Sequence, residues 1–414
     1  MTTIINKDNL NFEALRCLSC HEPPCVEACP ASVPIPQFIR ALLSGNYDYS
    51  ADIIRDANPL ISICGEVCPA EDYCMSVCSR SKHDAPVKIR VLHKFAAEIG
   101  KFSGFQSPKK ELSKNHVAVI GSGPAGLSCA VQLRLKGIDV TIYDKSSNFG
   151  GVPVNHIPDA RLSSNFTETD LEFIKGLDIN WRTQEISNLK DLLEEYDAVL
   201  LAAGLPNSRK LNIRYEEIPG VFPVLDFLKT AKRAPENINI GERVVVVGGG
   251  NVSLDAASAA YRLGAREVHL LYRRSVKEMK VWESELSEAI ELGVMVHYLC
   301  YPKEFIAESG ILSGVICGRN RLSDETDNSG RKKPVAVEGY DFVLPCDTAV
   351  VAIGLNPDKS FDSFIENVHN YKSETKGLFI GGDLITGEGT IVEAVRQGKE
   401  AAGYIIEYLK GGKW

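Results

Sequence analysis

The chain has 414 residues, of which 44% are hydrophobic and 24% charged, and its net charge is −8. That balance builds buried cores over two or three globular domains and argues against disorder. The acidic sign excludes the basic footprint that nucleic acid demands and speaks against an anionic membrane surface.

The first ten residues are polar and lack the apolar core of a secretory signal. No later stretch approaches the ~20 apolar residues of a membrane span. The expected location is cytoplasmic, with neither membrane nor nucleic acid as partner. Eight of the twelve cysteines fall between Cys17 and Cys78. The other four, Cys129, Cys300, Cys317 and Cys346, stand in apolar contexts and read as small core residues. A reducing cytosol disfavours disulfides, so the dense eight point to metal or cluster ligation.

Those eight form two runs. The first is Cys17-x2-Cys20-x4-Cys25-x3-Cys29-Pro30, and the second is Cys64-x3-Cys68-Pro69-x4-Cys74-x3-Cys78. Close spacing lets one loop turn several thiolates inward around a cubane. In two-cluster ferredoxins the last cysteine of each run serves the other cluster. By that logic Cys17, Cys20 and Cys25 hold one [4Fe–4S] cluster with Cys78, while Cys29, Cys68 and Cys74 hold most of a second. Zinc is the competing reading, but its sites take four ligands per ion, often with histidine. Between the runs, 36–44 shows apolar spacing near 3.6, as does 87–99 after the second run, so residues 1–105 are expected to form a helical iron–sulfur domain. Residues 101–115, with Gly, Pro and several lysines, read as a linker.

At 117 the pattern changes to strand, glycine turn, helix, strand. Gly121-Ser122-Gly123-Pro124-Ala125-Gly126 follows an apolar strand and opens a helix. The first glycine permits the turn, the second admits a pyrophosphate, and the third lets helix pack on strand. The helix start offers N–H groups to the phosphates. Asp144, 18 residues after Gly126, stands where a carboxylate binds a ribose diol. A similar unit recurs at 243–274 with Gly248-Gly249-Gly250-Asn251-Val252-Ser253. There Arg273 and Arg274 occupy the acid's place, which suits the 2′-phosphate of NADPH over NADH.

Two dinucleotide sites imply one flavin, FAD, and one nicotinamide. A strand ending in Gly381-Gly382-Asp383 can bring a carboxylate to the flavin's ribityl chain. The long helix from about Thr390 can set its positive end against the flavin ring. Strands at 198–204 and 349–354 end in glycines and read as chain crossings between the two nucleotide-binding domains. Residues 320–334 read as an exposed loop. The expected fold is α/β: two Rossmann-like (FAD- and NAD(P)-binding, glutathione-reductase-like) domains preceded by an α-helical [4Fe–4S] domain. The FAD domain is expected at 115–225 and 345–414, with an inserted NAD(P) domain at 226–344.

Taken together, the cysteine runs, GSGPAG, the Gly150-Gly151 pair with Ile157-Pro158, GGGNVSLD, YRRS and GGD are a specific set. Over essentially its whole length the chain resembles the flavin- and cluster-containing small subunit of glutamate synthase. It equally resembles the N-terminal half of dihydropyrimidine dehydrogenase, found in bacteria as a separate subunit. The resemblance implies that NAD(P)H reduces FAD and that two [4Fe–4S] clusters feed a larger catalytic partner. That partner would be a glutamate synthase large subunit or an FMN-containing dihydropyrimidine dehydrogenase subunit. It implies FAD contacts from Gly121, Gly123, Gly126, Asp144, Gly151 and Asp383. It implies nicotinamide-dinucleotide contacts from Gly248, Gly250, Asn251, Arg273 and Arg274. The family's second cluster often takes Gln, or Glu, as its fourth ligand, and His93 aligns there. A surface histidine is the plainer alternative. His156 and Ala160 depart from the family's usual IPxFRLP surroundings. No catalytic side chain is expected, because the cofactors carry the chemistry. A stand-alone flavin reductase would be the rival enzyme, but its disulfide type needs a cysteine pair by the flavin, and 149–155 holds none. A zinc-bearing interaction module is the non-enzymatic rival.

Overall fold

The computed structural model describes residues 7–101 and 114–414. Most of the expected linker lies outside them. The described chain separates into two compact units.

The first unit comprises Met1–Val154, Asp159–Gly204 and Pro357–Trp414. Its N-terminal part is helical, as the 3.6 spacing demands. Helix Ile35–Leu43 starts with Pro36 in its first turn, where a missing N–H costs nothing, and buries Phe38, Ile39 and Leu42. Helix Ile89–Ile99 buries Leu92 and Ala96. Of two helices that the spacing did not single out, Tyr47–Ala57 lies between the cysteine runs and Ile61–Val67 carries Cys64, the first cysteine of the second run. The rest of this unit is a parallel five-stranded sheet in the order Leu378–Ile380, Ala198–Leu201, His116–Ile120, Asp139–Asp144, Asn180–Thr183. Val117, Ala118 and Val119 are inaccessible to solvent, as a sheet covered on both faces requires. Helix Ile391–Leu409 lies against helix Pro124–Leu135. Gly398 is needed there, since a Cβ would stand 2.1 Å from the Ala125 carbonyl oxygen.

The second unit comprises Asn155–Pro158 and Leu205–Asn356. Its parallel sheet runs Val221–Pro223, Thr348–Ala352, Arg243–Gly248, Glu267–Tyr272, Met295–Tyr298. The insert is therefore wider than the expected 226–344. Val221–Pro223 and Thr348–Ala352, assigned above to the FAD domain, pair with the second glycine-bearing strand instead. Residues 320–334 are not a free loop either. Ile311–Thr326 and Lys332–Pro345 form a long antiparallel hairpin, joined by Cys300–Glu308 into a three-stranded sheet. Its far end is polar on both faces, so no alternation betrays the strands.

Candidate cofactor and cluster sites

In the first unit, Cys17, Cys20, Cys25 and Cys78 line one cavity of about 350 Å³, including its open mouth, together with apolar Pro24, Ile35 and Ile39. Burial pushes the Cys25 thiol up to about 12, and neighbouring Cys17 and Cys78 add to the shift. Cys17 is raised for the same first reason. Thiols so placed stay protonated unless a metal displaces the protons.

A second group gathers Cys29, Cys68 and Cys74. Burial raises the Cys68 and Cys74 thiols, and each also feels Cys29. Cys64 stands with them: it is buried, pushed up to about 12 by that burial, and feels Cys29. The ferredoxin logic left Cys64 without a role. The signal for it was the Cys-x3-Cys spacing, which puts Cys64 one helical turn before Cys68. Among the described residues no three or more Cys, His, Asp or Glu side chains draw together tightly enough for a single metal ion. His93 is partly buried. Its Nε2–H donates to the Ile61 carbonyl at 2.9 Å, and burial lowers its pKa to about 4. The ring is therefore neutral near pH 7, with its lone pair on Nδ1.

The glycine turn of the first sheet fits a dinucleotide. A Cβ at Gly121 would lie 2.3 Å from the Ala202 carbonyl oxygen, and φ there is +100°. A Cβ at Gly126 would lie 2.0 Å from Gly121 O, the close helix–strand approach. Gly123, by contrast, faces open space where a pyrophosphate would sit. It also begins helix Pro124–Leu135 with no side-chain cap, leaving the first N–H groups to a ligand. Asp144 Oδ2 accepts from Ser122 N at 2.8 Å and Ser122 Oγ at 2.6 Å, so the carboxylate braces the turn itself. Gly151 and Gly382 close in on the same place. Their Cβ atoms would stand 2.7 Å from Gly123 Cα and 3.1 Å from Ala125 Cβ. Burial raises the neighbouring Asp383 carboxyl to about 6, with Glu388 and Glu393 contributing. Thr390 begins the C-terminal helix in a reciprocal cap with Glu393, and Tyr73 Oη lies 3.1 Å from its Oγ1. That glutamate offsets part of the helix's positive end.

The second unit repeats the turn. A Cβ at Gly248 would meet Ala352 O at 2.3 Å, whereas Gly250 faces open space and starts helix Asn251–Arg262 uncapped. Ser253 in the third-glycine place turns its hydroxyl to Gly250 O at 2.6 Å, which is how a side chain is tolerated there. Asn251 Oδ1 accepts from Trp282 N at 3.2 Å. The two arginines part company. Arg273 is exposed. Arg274 is buried, donating to Lys332 O at 2.9 Å and Asp327 Oδ2 at 2.5 Å. The expected use of Arg274 on the 2′-phosphate does not agree with this engagement.

Residues 115–398, well over half the chain, match the family described as pyridine nucleotide-disulphide oxidoreductase. The chain belongs to that family. Ahead of its pyridine nucleotide-disulphide oxidoreductase region, residues 1–104 match the family described as dihydropyrimidine dehydrogenase domain II, 4Fe-4S cluster. The NAD-dependent dihydropyrimidine dehydrogenase subunit PreT of Escherichia coli K12 is 34% identical, over 96% of this chain and 94% of its own. The NADP(+)-dependent formate dehydrogenase subunit beta of Moorella thermoacetica is 37% identical over 94% of this chain. This chain spans 60% of that longer relative. Among solved structures, Mycobacterium tuberculosis FprA in complex with NADPH aligns with a TM-score of 0.64, at 19% identity over 72% of this chain and 85% of its own. At that identity the likeness speaks for the fold alone. Among the described residues no helix is long and apolar enough to cross a membrane.

Proposed function

We propose that this chain draws electrons from NADPH through FAD and passes them singly, through two [4Fe–4S] clusters, to a larger catalytic partner in the cytoplasm. FAD, when bound, accepts an electron pair from the nicotinamide and releases single electrons that clusters can carry. The chain's own part is to bind, orient and insulate. Gly121, Gly123 and the uncapped start of helix Pro124–Leu135 would seat the FAD pyrophosphate. Asp383, Gly382 and Thr390 would flank the ribityl chain and ring. Gly248, Gly250 and the start of helix Asn251–Arg262 would seat the nicotinamide dinucleotide. Cys17, Cys20, Cys25 and Cys78 would hold the first cluster, and Cys29, Cys68 and Cys74 three corners of the second. We give the fourth corner to His93, because its Nε2–H is tied to a backbone carbonyl, as the outer nitrogen of a ligating histidine usually is.

The observation that carries the reading is the presence, in one unit, of an open glycine turn and of two separate thiol groups. Relatives named as subunits support a multi-subunit assembly. A dihydropyrimidine dehydrogenase catalytic subunit is the partner favoured by the PreT likeness, which runs nearly end to end. A glutamate synthase large subunit remains the other expectation. Anaerobic titration with NADPH tests the reading. Flavin absorbance should bleach, and a paramagnetic reduced-cluster signal should follow. Bleached flavin with silent clusters would leave only a stand-alone flavin reductase.

A further inference from the structure

We infer that Arg331, at the tip of the long hairpin, joins Arg273 to clamp the 2′-phosphate of NADP(H), while Arg274 is the anchor that folds that tip into place. This rests on the dinucleotide reading of the second unit and assigns its specificity to a segment outside the nucleotide-binding motif.

The topology puts the arginines where a ribose must be. Strand Glu267–Tyr272 runs parallel beside Arg243–Gly248, so its carboxyl end emerges next to the glycine turn. Ligands of open parallel sheets bind at that edge. The backbone there is pinned: Arg273 O accepts from Asn320 Nδ2 at 3.0 Å, and Arg274 O accepts from Leu299 N at 3.0 Å. Only Arg273 is exposed at this point.

Arg274 reaches into the hairpin instead, to Asp327 and to Lys332 O. Asp327 in turn organises the tip. Its Oδ1 accepts from Ser329 N at 2.9 Å, Ser329 Oγ at 2.5 Å and Arg331 N at 3.2 Å. Its own N–H donates to Arg331 O at 2.8 Å, and Gly330 supplies the left-handed turn at φ +77°. Arg331 is thus held two hydrogen bonds from Arg274. Its Nε donates to Ser329 Oγ at 2.8 Å. Among the described residues neither Arg273 nor Arg331 is in an ion pair. The Arg273 guanidinium, though exposed, loses part of its hydration to its neighbours and is then disfavoured by the charges of Arg274 and Arg331, so like charges are gathered here. Three guanidiniums against one committed carboxylate leave about two positive charges, which a phosphomonoester of roughly −2 would neutralise. Guanidinium forks suit its oxygens in pairs.

Calorimetric titration of the purified full-length protein with 2′,5′-ADP, and with 5′-AMP as the probe lacking the phosphate, tests this. The unaltered protein should bind 2′,5′-ADP at least about tenfold more tightly than 5′-AMP. Arg331→Ala should erase most of that preference and leave 5′-AMP binding unchanged, which also shows that the unit is folded. Asp327→Ala, which frees the tip, should act in the same direction, and Arg331→Lys should restore the preference only in part. If the unaltered protein shows no preference, the NADPH reading itself fails. If it prefers 2′,5′-ADP and Arg331→Ala keeps that preference, the clamp is wrong and the NADPH reading stands.

Discussion

A glycine whose hydrogen cannot be replaced is a sharper test of a site than one conserved by habit of sequence. Gly121 is such a residue, with φ +100° and a virtual Cβ 2.3 Å from a backbone oxygen. Gly121→Ala should cost roughly 2–3 kcal/mol in urea unfolding and lose FAD on purification. Normal stability with full flavin would refute the role given to the turn. At the second cluster, His93→Ala should alter the reduced-cluster resonance while Cys64→Ser leaves it in place. The reverse result would make Cys64 the ligand. The cysteine runs and both glycine turns were legible because their chemistry fixes residue type and spacing. Arg273 and Arg274 were not separable, since adjacent arginines read alike until the fold buries one. For Asp383 the burial-raised carboxyl, at about 6, is protonated in the fold at a pH where the unfolded chain is ionised. Its contribution to apoprotein stability is whole below about pH 4 and is lost as pH rises through 6. Asp383→Asn should flatten that part of the melting-temperature profile, whereas an unaltered profile would contradict the shift.

Among the elements, the short helix Ile61–Val67 matters most to the second thiol group. It carries Cys64 and delivers Cys68 at its C-terminal end. Its own first turn has no local cap. Asp170, from helix Ser164–Lys175, accepts instead from Ser62 N at 3.1 Å and Ile63 N at 2.9 Å. Asp170→Ala should therefore cost about 1–2 kcal/mol and loosen iron at the second cluster before the first. Equal retention of both clusters, with an unmoved denaturation midpoint, would count against this bracing. Such a long-range cap is invisible in sequence, because the partners are over a hundred residues apart. The hairpin was missed for a different reason. The part of its strands that reads as a loop in the sequence, 320–326 and 332–334, holds no buried residue, so the burial that produces alternation is absent there.

Across the whole chain, the duplicated strand–turn–helix units announced an inserted domain, and the insertion is present. Its borders were misjudged because Thr348–Ala352 is as buried and apolar as the strands of the first sheet, while Val221–Pro223 is a short apolar edge strand. Apolar content says that a strand is buried on both faces, not which sheet it completes. The central claim concerns the first eighty residues: their thiols hold iron and sulfide, giving flavin-derived electrons a path outward. Determining iron, acid-labile sulfide and FAD together in anaerobically purified protein tests it most directly. The account predicts about eight iron and eight sulfide per FAD, two cubanes of four. Stoichiometric FAD without iron or sulfide, or zinc in their place, would contradict it.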